Sequence, residues 1–252
     1  MLRCPKNMAE KKKTRKAKTM IEAVGLSKYY GRFTAVENLN FKISKGEVVA
    51  FLGPNGAGKS TTMKLLTGYL APSAGKAVVC GLDVATDRLA IANRVGYLPE
   101  NGPLYTEMTP MALLKFFAEV RGMSGPDMTE RINKVIDDCA IGDVAHKAIG
   151  KLSRGYRQRV GMANVLLHDP DILIMDEPTA GLDPNQILEI RKLVRQLGKT
   201  VLLSTHILQE VGEMADRVLL INEGRLVFDG PSQDLKKEKS LDKWFHKLTL
   251  AA

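Results

Sequence analysis

A glycine-rich segment, GPNGAGKST at residues 53–61, carries the groups needed to bind the phosphates of a nucleotide. It fits the pattern G-x-x-x-x-G-K-[ST], in which glycines let backbone N–H groups turn towards phosphate oxygens. The helix that follows adds the partial positive charge of its N-terminus. Lys59 offers a cation to the β- and γ-phosphates, and Ser60 offers a hydroxyl to Mg²⁺. The predicted contacts come from Gly53, Pro54, Asn55, Gly56, Ala57, Gly58, Lys59, Ser60 and Thr61.

Two further runs end in residues that suit phosphoryl chemistry. ILIM at 172–175 is followed by Asp176 and Glu177, and TVLLST at 200–205 is followed by His206. The carboxyl ends of parallel strands are where such sheets place ligand groups. We expect Asp176 to hold Mg²⁺ through water, Glu177 to polarise a water aimed at the γ-phosphate, and His206 to donate a hydrogen bond to the transferring phosphate oxygens.

The elements around these residues indicate an α/β fold. VVAFL at 48–52, ILIM and TVLLST are continuously apolar, as strands buried on both faces are, and helical segments lie between them. IEAVGLSKYYG and FTAVENLNFKIS alternate apolar and polar residues, which is typical of an antiparallel β region, and RVLLINEGRLVFDG predicts a late hairpin. The predicted fold has a mixed, mostly parallel sheet, an N-terminal antiparallel β region and an inserted α-helical subdomain.

The helical subdomain is predicted over about residues 101–169, because MALLKFFAEVRG, RINKVIDDCA and RQRVGMANVLLH are all typical of helices. It lies within a predicted domain of residues 20–230. Residues 231–252 are predicted to form a helical tail. Its apolar stripe is Leu241, Trp244, Phe245 and Leu248. This stripe suits a helix docked on its own domain, with a membrane-surface or partner helix as the alternative.

Charge is concentrated at the start of the chain. The 252 residues carry a net charge of +9, and residues 1–20 hold eight Lys or Arg and one acid, which leaves 29 bases and 27 acids elsewhere. We expect residues 1–19 to be a disordered basic arm, with an electrostatic contact to anionic lipid or nucleic acid as the functional alternative. No aromatics are interleaved with these charges, so specific nucleic-acid binding is not expected. No apolar run is long enough to span a bilayer.

The segment LSRGYRQR at residues 152–159 is the motif that indicates a known protein family. It resembles the signature sequence, usually LSGGQ, of the nucleotide-binding subunits of ATP-binding-cassette (ABC) proteins, and the resemblance covers nearly all of residues 20–230. It implies a P-loop NTPase core, ATP and Mg²⁺ as cofactors, and ATP hydrolysis. It also implies a head-to-tail dimer with a second copy or a homologous subunit, in which Ser153 and Gly155 contact the γ-phosphate held by the opposite chain.

Other motifs match the family position by position. The resemblance implies that Tyr30 stacks on adenine, with Tyr29 as the alternative. It implies that Gly181-Leu182-Asp183 crosses the dimer interface, that Glu177 is the catalytic glutamate and that His206 is the switch histidine.

Two positions depart from the family pattern. Glu100 stands where the loop after RVGYLP normally has Gln, and we expect it to contact Mg²⁺ and the attacking water. In the signature, Arg154 replaces a Gly and Tyr156 replaces a Gln. Arg154 either contacts phosphate or ribose, or points to solvent.

The combination of YLPENGPLY, LSRGYRQR, DEPTAGLDPNQ and STHILQEV is similar to an export branch of the family whose ATPase is a separate polypeptide. This implies an ATPase subunit that drives integral membrane permease subunits from the cytoplasmic face of the inner membrane. One alternative is a soluble ABC-type ATPase acting on nucleic acid or ribosomes, which only the basic arm favours. The other is a non-hydrolysing, nucleotide-gated adaptor, which Glu100 and Arg154 suggest.

Overall fold

The computed structural model describes residues 18–100, 102, 104–237 and 245. The strands in this part of the chain are β1 (Thr19–Tyr30), β2 (Phe33–Ser44), β3 (Val48–Leu52), β4 (Ala74–Val79), β5 (Leu82–Asp83), β6 (Val95–Leu98), β7 (Ile172–Met175), β8 (Thr200–Thr205), β9 (Arg217–Asn222) and β10 (Arg225–Pro231). The α-helices are α1 (Lys59–Leu66), α2 (Arg88–Ala92), α3 (Pro110–Val120), α4 (Gly125–Asp138), α5 (Arg154–Leu166), α6 (Pro184–Gln196), α7 (Leu208–Met214) and α8 (Ser232–Lys237). Two 3₁₀ turns are Gly142–Val144 and Ile149–Lys151.

The strands form two sheets. A six-stranded sheet has the order β10-β9-β3-β8-β7-β6, and its strands are parallel except for β10, which pairs antiparallel with β9. A four-stranded antiparallel sheet has the order β2-β1-β4-β5. The predicted fold class, including the late hairpin of β9 and β10, is confirmed.

Strand β3 separates two hydrophobic cores. Val48, Ala50 and Leu52 belong to the core shared with the helices α3 to α7, whereas Val49 and Phe51 belong to the core shared with the antiparallel sheet and α1. Alternate side chains of a strand point to opposite faces, so a strand covered on both sides needs apolar residues at every position. This explains the unbroken apolar sequence of β3. Because β3 is held on both faces, the position of the glycine-rich loop that follows its C-terminal end is also fixed.

Between β6 and β7, residues 104–169 contain the helices α3, α4 and α5 and the two 3₁₀ turns, which are joined by turns and loops. α3 begins with Thr109 as its N-cap, whose side chain accepts a hydrogen bond from the Ala112 N–H, and Pro110 occupies the first helical position. In the described part of the chain, none of the helices combines the length and the apolar character needed to cross a bilayer.

Both predicted terminal segments lie largely outside the described residues. β1 begins at Thr19, so the antiparallel sheet takes in the last residue of the predicted arm, while residues 1–17 are not described. At the other end, α8 opens the predicted tail. Of the apolar stripe, Leu241, Trp244 and Leu248 are not described, and Phe245 packs against the larger core.

Candidate functional site

The glycine-rich loop connects β3 to α1, and two of its glycines are required by close packing. A Cβ atom on Gly58, whose φ is +102°, would lie 2.4 Å from the carbonyl oxygen of Ala35, and one on Gly53 would lie 2.4 Å from that of Ile221. Any side chain at either position would therefore displace the loop from β2 or β9. The loop curls directly into α1, whose first N–H groups have no intrahelical acceptor because they begin the helix.

Lys59 is buried and lies across the loop. Its Nζ donates hydrogen bonds to the carbonyl oxygens of Gly53 at 2.8 Å and Pro54 at 3.1 Å. The same Nζ is 3.5 Å from Oε1 of Glu177, and both side chains are less than a tenth exposed. This ion pair brings the end of β7 against the glycine-rich loop and compensates a carboxylate that would be costly to bury alone.

The acidic pair after β7 is held by a serine on the neighbouring strand β8. The Oγ of Ser204 donates to Oδ1 of Asp176 at 2.5 Å and accepts from the Glu177 N–H at 2.9 Å. Glu177 has a φ of +49°, which is rare for a residue other than glycine. Backbone strain of this kind, on the order of 1 kcal/mol, persists where the surrounding contacts hold it, and here it turns the carboxylate away from Asp176's buried position.

His206 lies beside Glu177 at the end of β8. Its Nδ1 is 2.9 Å from Oε2 of Glu177, and the side chain is 45% exposed. With the carboxylate ionised, Nδ1 is the donor, which leaves Nε2 as the nitrogen available to another group. The glycine-rich loop after β3, Glu177 after β7 and His206 after β8 therefore lie together at one edge of the sheet.

These side chains border a cleft of about 420 Å³. Its lining comes from the start of β2, from the glycine-rich loop and from the segments that follow β6, β7 and β8. It consists of Phe33, Ala35, Asn55, Gly56, Gly58, Lys59, Ser60, Thr61, Glu100, Glu177, Ala180 and His206. Asp176 lies beneath this surface, 3% exposed. The cleft joins a formed phosphate cradle to a hydroxyl and carboxylates, which are the oxygen ligands that Mg²⁺ prefers.

The rim of the cleft includes an aromatic residue, Phe33, that the sequence analysis did not select. Tyr29 and Tyr30 are both partly exposed, and the Lys28 ammonium lies 5.4 Å from the centre of the Tyr30 ring. Phe33, which is 62% exposed and pairs with Tyr30 across the β1–β2 turn, lines the cleft. Sequence reasoning missed Phe33, although its place directly after the turn that follows Tyr30 was a usable signal.

The LSRG segment lies at the start of α5 rather than in the cleft. Ser153 is the N-cap, and its Oγ accepts from the Tyr156 N–H at 3.3 Å. Gly155 is buried against Gln186, where a Cβ atom would lie 2.6 Å from the side-chain amide carbon. Asp183 caps α6 and, with Gln186, forms a capping box. Ser153, Gly155 and Asp183 thus gather where α5 meets α6.

A comparison with known protein families shows which family this chain belongs to. The family described as "ABC transporter" matches residues 36–180, which is more than half of the chain. The chain belongs to the ABC transporter family. The matched region contains the glycine-rich loop, the LSRG segment and the acidic pair, so these motifs lie within the ABC ATPase domain of the chain.

Relatives of this ABC ATPase include named transport proteins. The probable multidrug ABC transporter ATP-binding protein YbhF of Escherichia coli (strain K12) is 38% identical over 228 residues, covering 89% of this chain and 39% of YbhF. This chain therefore spans about two fifths of the length of that relative. The bacitracin transport ATP-binding protein BcrA of Bacillus licheniformis is 36% identical over 223 residues, covering 87% of this chain and 72% of BcrA.

Solved structures show the same fold. The structure titled "Structure of ATP binding subunit of ABC transporter" superposes with a TM-score of 0.81 at 29% sequence identity, covering 91% of this chain and 99% of the other.

Beside the helical region, this ABC ATPase has a second concave surface. Two neighbouring cavities of about 640 and 480 Å³ share Tyr69, Tyr97 and Phe117, and we call them together the interlobe groove. Exposed apolar side chains stand in or next to it: Tyr69 (71% exposed) and Leu89 (85%) line it, and Val120 (66%) lies on the same helix as Phe117. The groove is therefore mainly apolar although it is open.

Two buried polar atoms of the interlobe groove lack hydrogen-bond partners among the described residues: the Tyr97 hydroxyl and Nδ1 of His168. Burial, followed by the charge of Arg121, lowers the pKa of His168 to about 4, so the ring is neutral at physiological pH. Burial also raises the pKa of Tyr97 to about 12, with Asp176 contributing, and lowers the pKa of Arg121. The ionisable bases around the groove are Lys64, Arg88, Arg121 and His168, and none of its described lining residues is acidic.

Proposed function

We propose that this ABC ATPase is the energy-supplying subunit of a membrane exporter whose permease is a separate set of subunits. YbhF is named a probable multidrug transporter component and BcrA a bacitracin transport component, and both similarities extend over more than four fifths of this chain. Membership of the family does not by itself give the direction of transport, the separate permease or the docking surface, and we propose all three here.

The interlobe groove carries the proposal. An open apolar surface of this size is unusual on a protein that acts alone, and it marks a site where another molecule packs. It lies between the ATP cleft's supporting sheet and the helical region, so an occupant would contact both. We propose that a helical segment of the permease fills it, with apolar side chains against Tyr69 and Phe117 and a carboxylate towards Arg121, because the groove's charged lining residues are all basic.

Within the cleft, each residue is assigned one part of ATP hydrolysis. Lys59 exchanges its contacts with Gly53 and Pro54 for the β- and γ-phosphates, while the loop's N–H groups hold the phosphate oxygens. Ser60, Asp176 and Glu100 would hold Mg²⁺, which supplies neutralisation of phosphate charge when bound. Glu177 orients the attacking water, and its ion pair with Lys59 keeps the carboxylate close to the γ-phosphate position.

We propose that a second copy of the chain, or a homologous subunit, completes the site. Ser153, Gly155 and Asp183 are grouped together at the α5–α6 contact, away from the cleft of their own chain. This arrangement suits a head-to-tail dimer in which α5 points its N-terminus at the partner's γ-phosphate. Tyr30 is proposed to stack on adenine, with Phe33 beside it at the cleft rim.

The proposed location is the cytoplasmic face of the cell membrane, where ATP and a permease meet. The basic arm would add an attraction to anionic lipid there. Residues 1–17 lie outside the described part of the chain, so this contact is proposed from their charge alone.

The proposal can be tested by retrieving the partner with matched variants. A tagged Glu177→Gln chain is expressed in its native cells, membranes are solubilised gently with Mg-ATP, and co-purifying proteins are identified. We expect a multi-span membrane protein, reduced at least tenfold when Leu89→Asp and Val120→Asp are added in the groove region. Val24→Asp, on the antiparallel sheet, is the matched control and should keep it. Recovery of ribosomes or nucleic acid, insensitive to the groove substitutions, would contradict the proposal.

A further inference from the structure

A fourth cavity, of about 350 Å³, lies between the end of β6 and α5, and residues of opposite charge line it. Its charged lining residues are Glu100 on one side and Arg154 and Arg157 on the other. Arg157 donates to the carbonyl oxygen of Leu152. The side chains of Glu100 and Arg154 have no hydrogen bond or ion pair with another residue in the part of the chain that the structure describes. We call this space the Glu100–Arg154 cavity.

Arg154 also touches the loop that follows the acidic pair. A Cβ atom on Gly181 would lie 2.5 Å from one terminal nitrogen of the Arg154 guanidinium and 2.6 Å from its central carbon. The guanidinium therefore occupies the space that a side chain at Gly181, four residues after Glu177, would need. Arg154 thus lies between the cavity and the loop that follows Glu177.

A buried amide in the same cavity suits a carboxylate. Nε2 of Gln158 is buried and has no hydrogen-bond partner among the described residues. A carboxylate that moved into the cavity would accept from this amide and pair with Arg154, satisfying both groups.

We propose that Glu100 and Arg154 work as one charge pair, in which Arg154 is a positioning residue for ATP hydrolysis. With one oxygen of the Glu100 carboxylate towards the cleft and the other on Arg154, the guanidinium is fixed against Gly181, and the loop that follows Glu177 is fixed with it. The pair thereby connects the end of β6, the start of α5 and the Glu177 loop within a single chain. The inference rests on the proposed roles of Glu100 and Glu177.

A double-mutant cycle on ATP hydrolysis tests the pair. The variants are Glu100→Gln, Arg154→Gln and both together, with Lys147→Gln, an exposed base outside the cavity, as the control. We expect Arg154→Gln to lower kcat about tenfold in the wild-type background and little in the Glu100→Gln background, because residues that act as a unit are not additive. KM for ATP should change less than twofold in Arg154→Gln, since the glycine-rich loop and the proposed Mg²⁺ ligands are untouched, and the melting temperature should stay within a few degrees. An equal loss from Arg154→Gln in both backgrounds, or an unchanged Arg154→Gln variant, would overturn the inference.

A second comparison reports the Gly181 contact directly. Gly181→Ala carries the same backbone strain, from a φ of +68°, whether or not the arginine is present. We therefore expect it to lower kcat more in the wild-type background than in an Arg154→Ala background. Equal losses in both backgrounds would rule out the contact. Glu177→Gln is measured in parallel. If this variant still hydrolyses ATP, the proposed function of the cleft is wrong. If Glu177→Gln is inactive while Arg154→Gln keeps the wild-type activity, only the proposed charge pair is wrong.

Discussion

Nδ1 of His206 lies 2.9 Å from Oε2 of Glu177, so the histidine ring is oriented by the residue proposed to orient the attacking water. The contact assigns the two ring nitrogens different tasks. Nδ1 contacts the carboxylate, and we propose that Nε2 serves a phosphate oxygen.

This division of tasks predicts the order of His206 variants. His206→Asn can keep a donor near Glu177 but lacks the outer nitrogen, and we expect it to lose about 100-fold in kcat, as much as His206→Ala. His206→Gln places its amide closer to the Nε2 position and should retain more activity. Steady-state phosphate release measures all three, with exposed His146→Ala as the control. If Asn and Gln variants were equally active, the assignment of Nε2 to phosphate would be wrong.

Glu177→Gln should separate ATP binding from hydrolysis. The amide keeps the size of the side chain but cannot accept a proton from water, so we expect kcat to fall at least 100-fold. Binding of ATP, measured by equilibrium titration with a fluorescent analogue, should remain within about threefold of wild type. Comparable turnover in the variant would favour a different general base.

The glycine-rich loop offers a matched pair of substitutions. Gly58→Ala places a Cβ atom 2.4 Å from the Ala35 carbonyl oxygen, whereas Gly56→Ala, also at positive φ, meets nothing within 4 Å. We expect Gly58→Ala to abolish ATP binding by displacing the loop. Gly56→Ala should cost about 1–2 kcal/mol of local strain and weaken binding about tenfold. Similar affinities for the two variants would show that backbone conformation, and not packing on β2, controls the loop.

His168 predicts a particular dependence of stability on pH. Its pKa is lowered to about 4 in the folded protein, so between pH 6.5 and 4 the unfolded chain binds more protons at this residue and stability falls as pH falls. Because the side chain is only partly buried, we expect a loss on the order of 1 kcal/mol from this group. Urea unfolding at pH 7 and pH 4.5 should show a smaller difference for His168→Gln than for wild type. His146→Gln, which changes an exposed ring, should leave the difference unaltered.

The sheet and the cleft were predictable because they depend on local patterns. The unbroken apolar runs of β3 and β7 and the apolar centre of β8 predicted buried parallel strands. The residues that follow these three strands meet at one edge of the sheet, as parallel topology requires. Arg154 was not predictable in the same way. Its sequence position left phosphate, ribose or solvent open, and its contact with Gly181 depends on how α5 packs beside the loop before α6. The polar atoms of Tyr97 and His168 in the interlobe groove likewise follow from tertiary packing.

The position of β3 between two cores has a consequence for how the molecule opens. Its residues are fixed from both sides, so releasing the strand requires both cores to separate, and its amide protons should exchange with solvent only through complete unfolding. The glycine-rich loop begins at the last residue of this strand. We therefore expect the phosphate cradle to be anchored to the slowest-exchanging part of the protein, and its shape to persist when more weakly packed regions open.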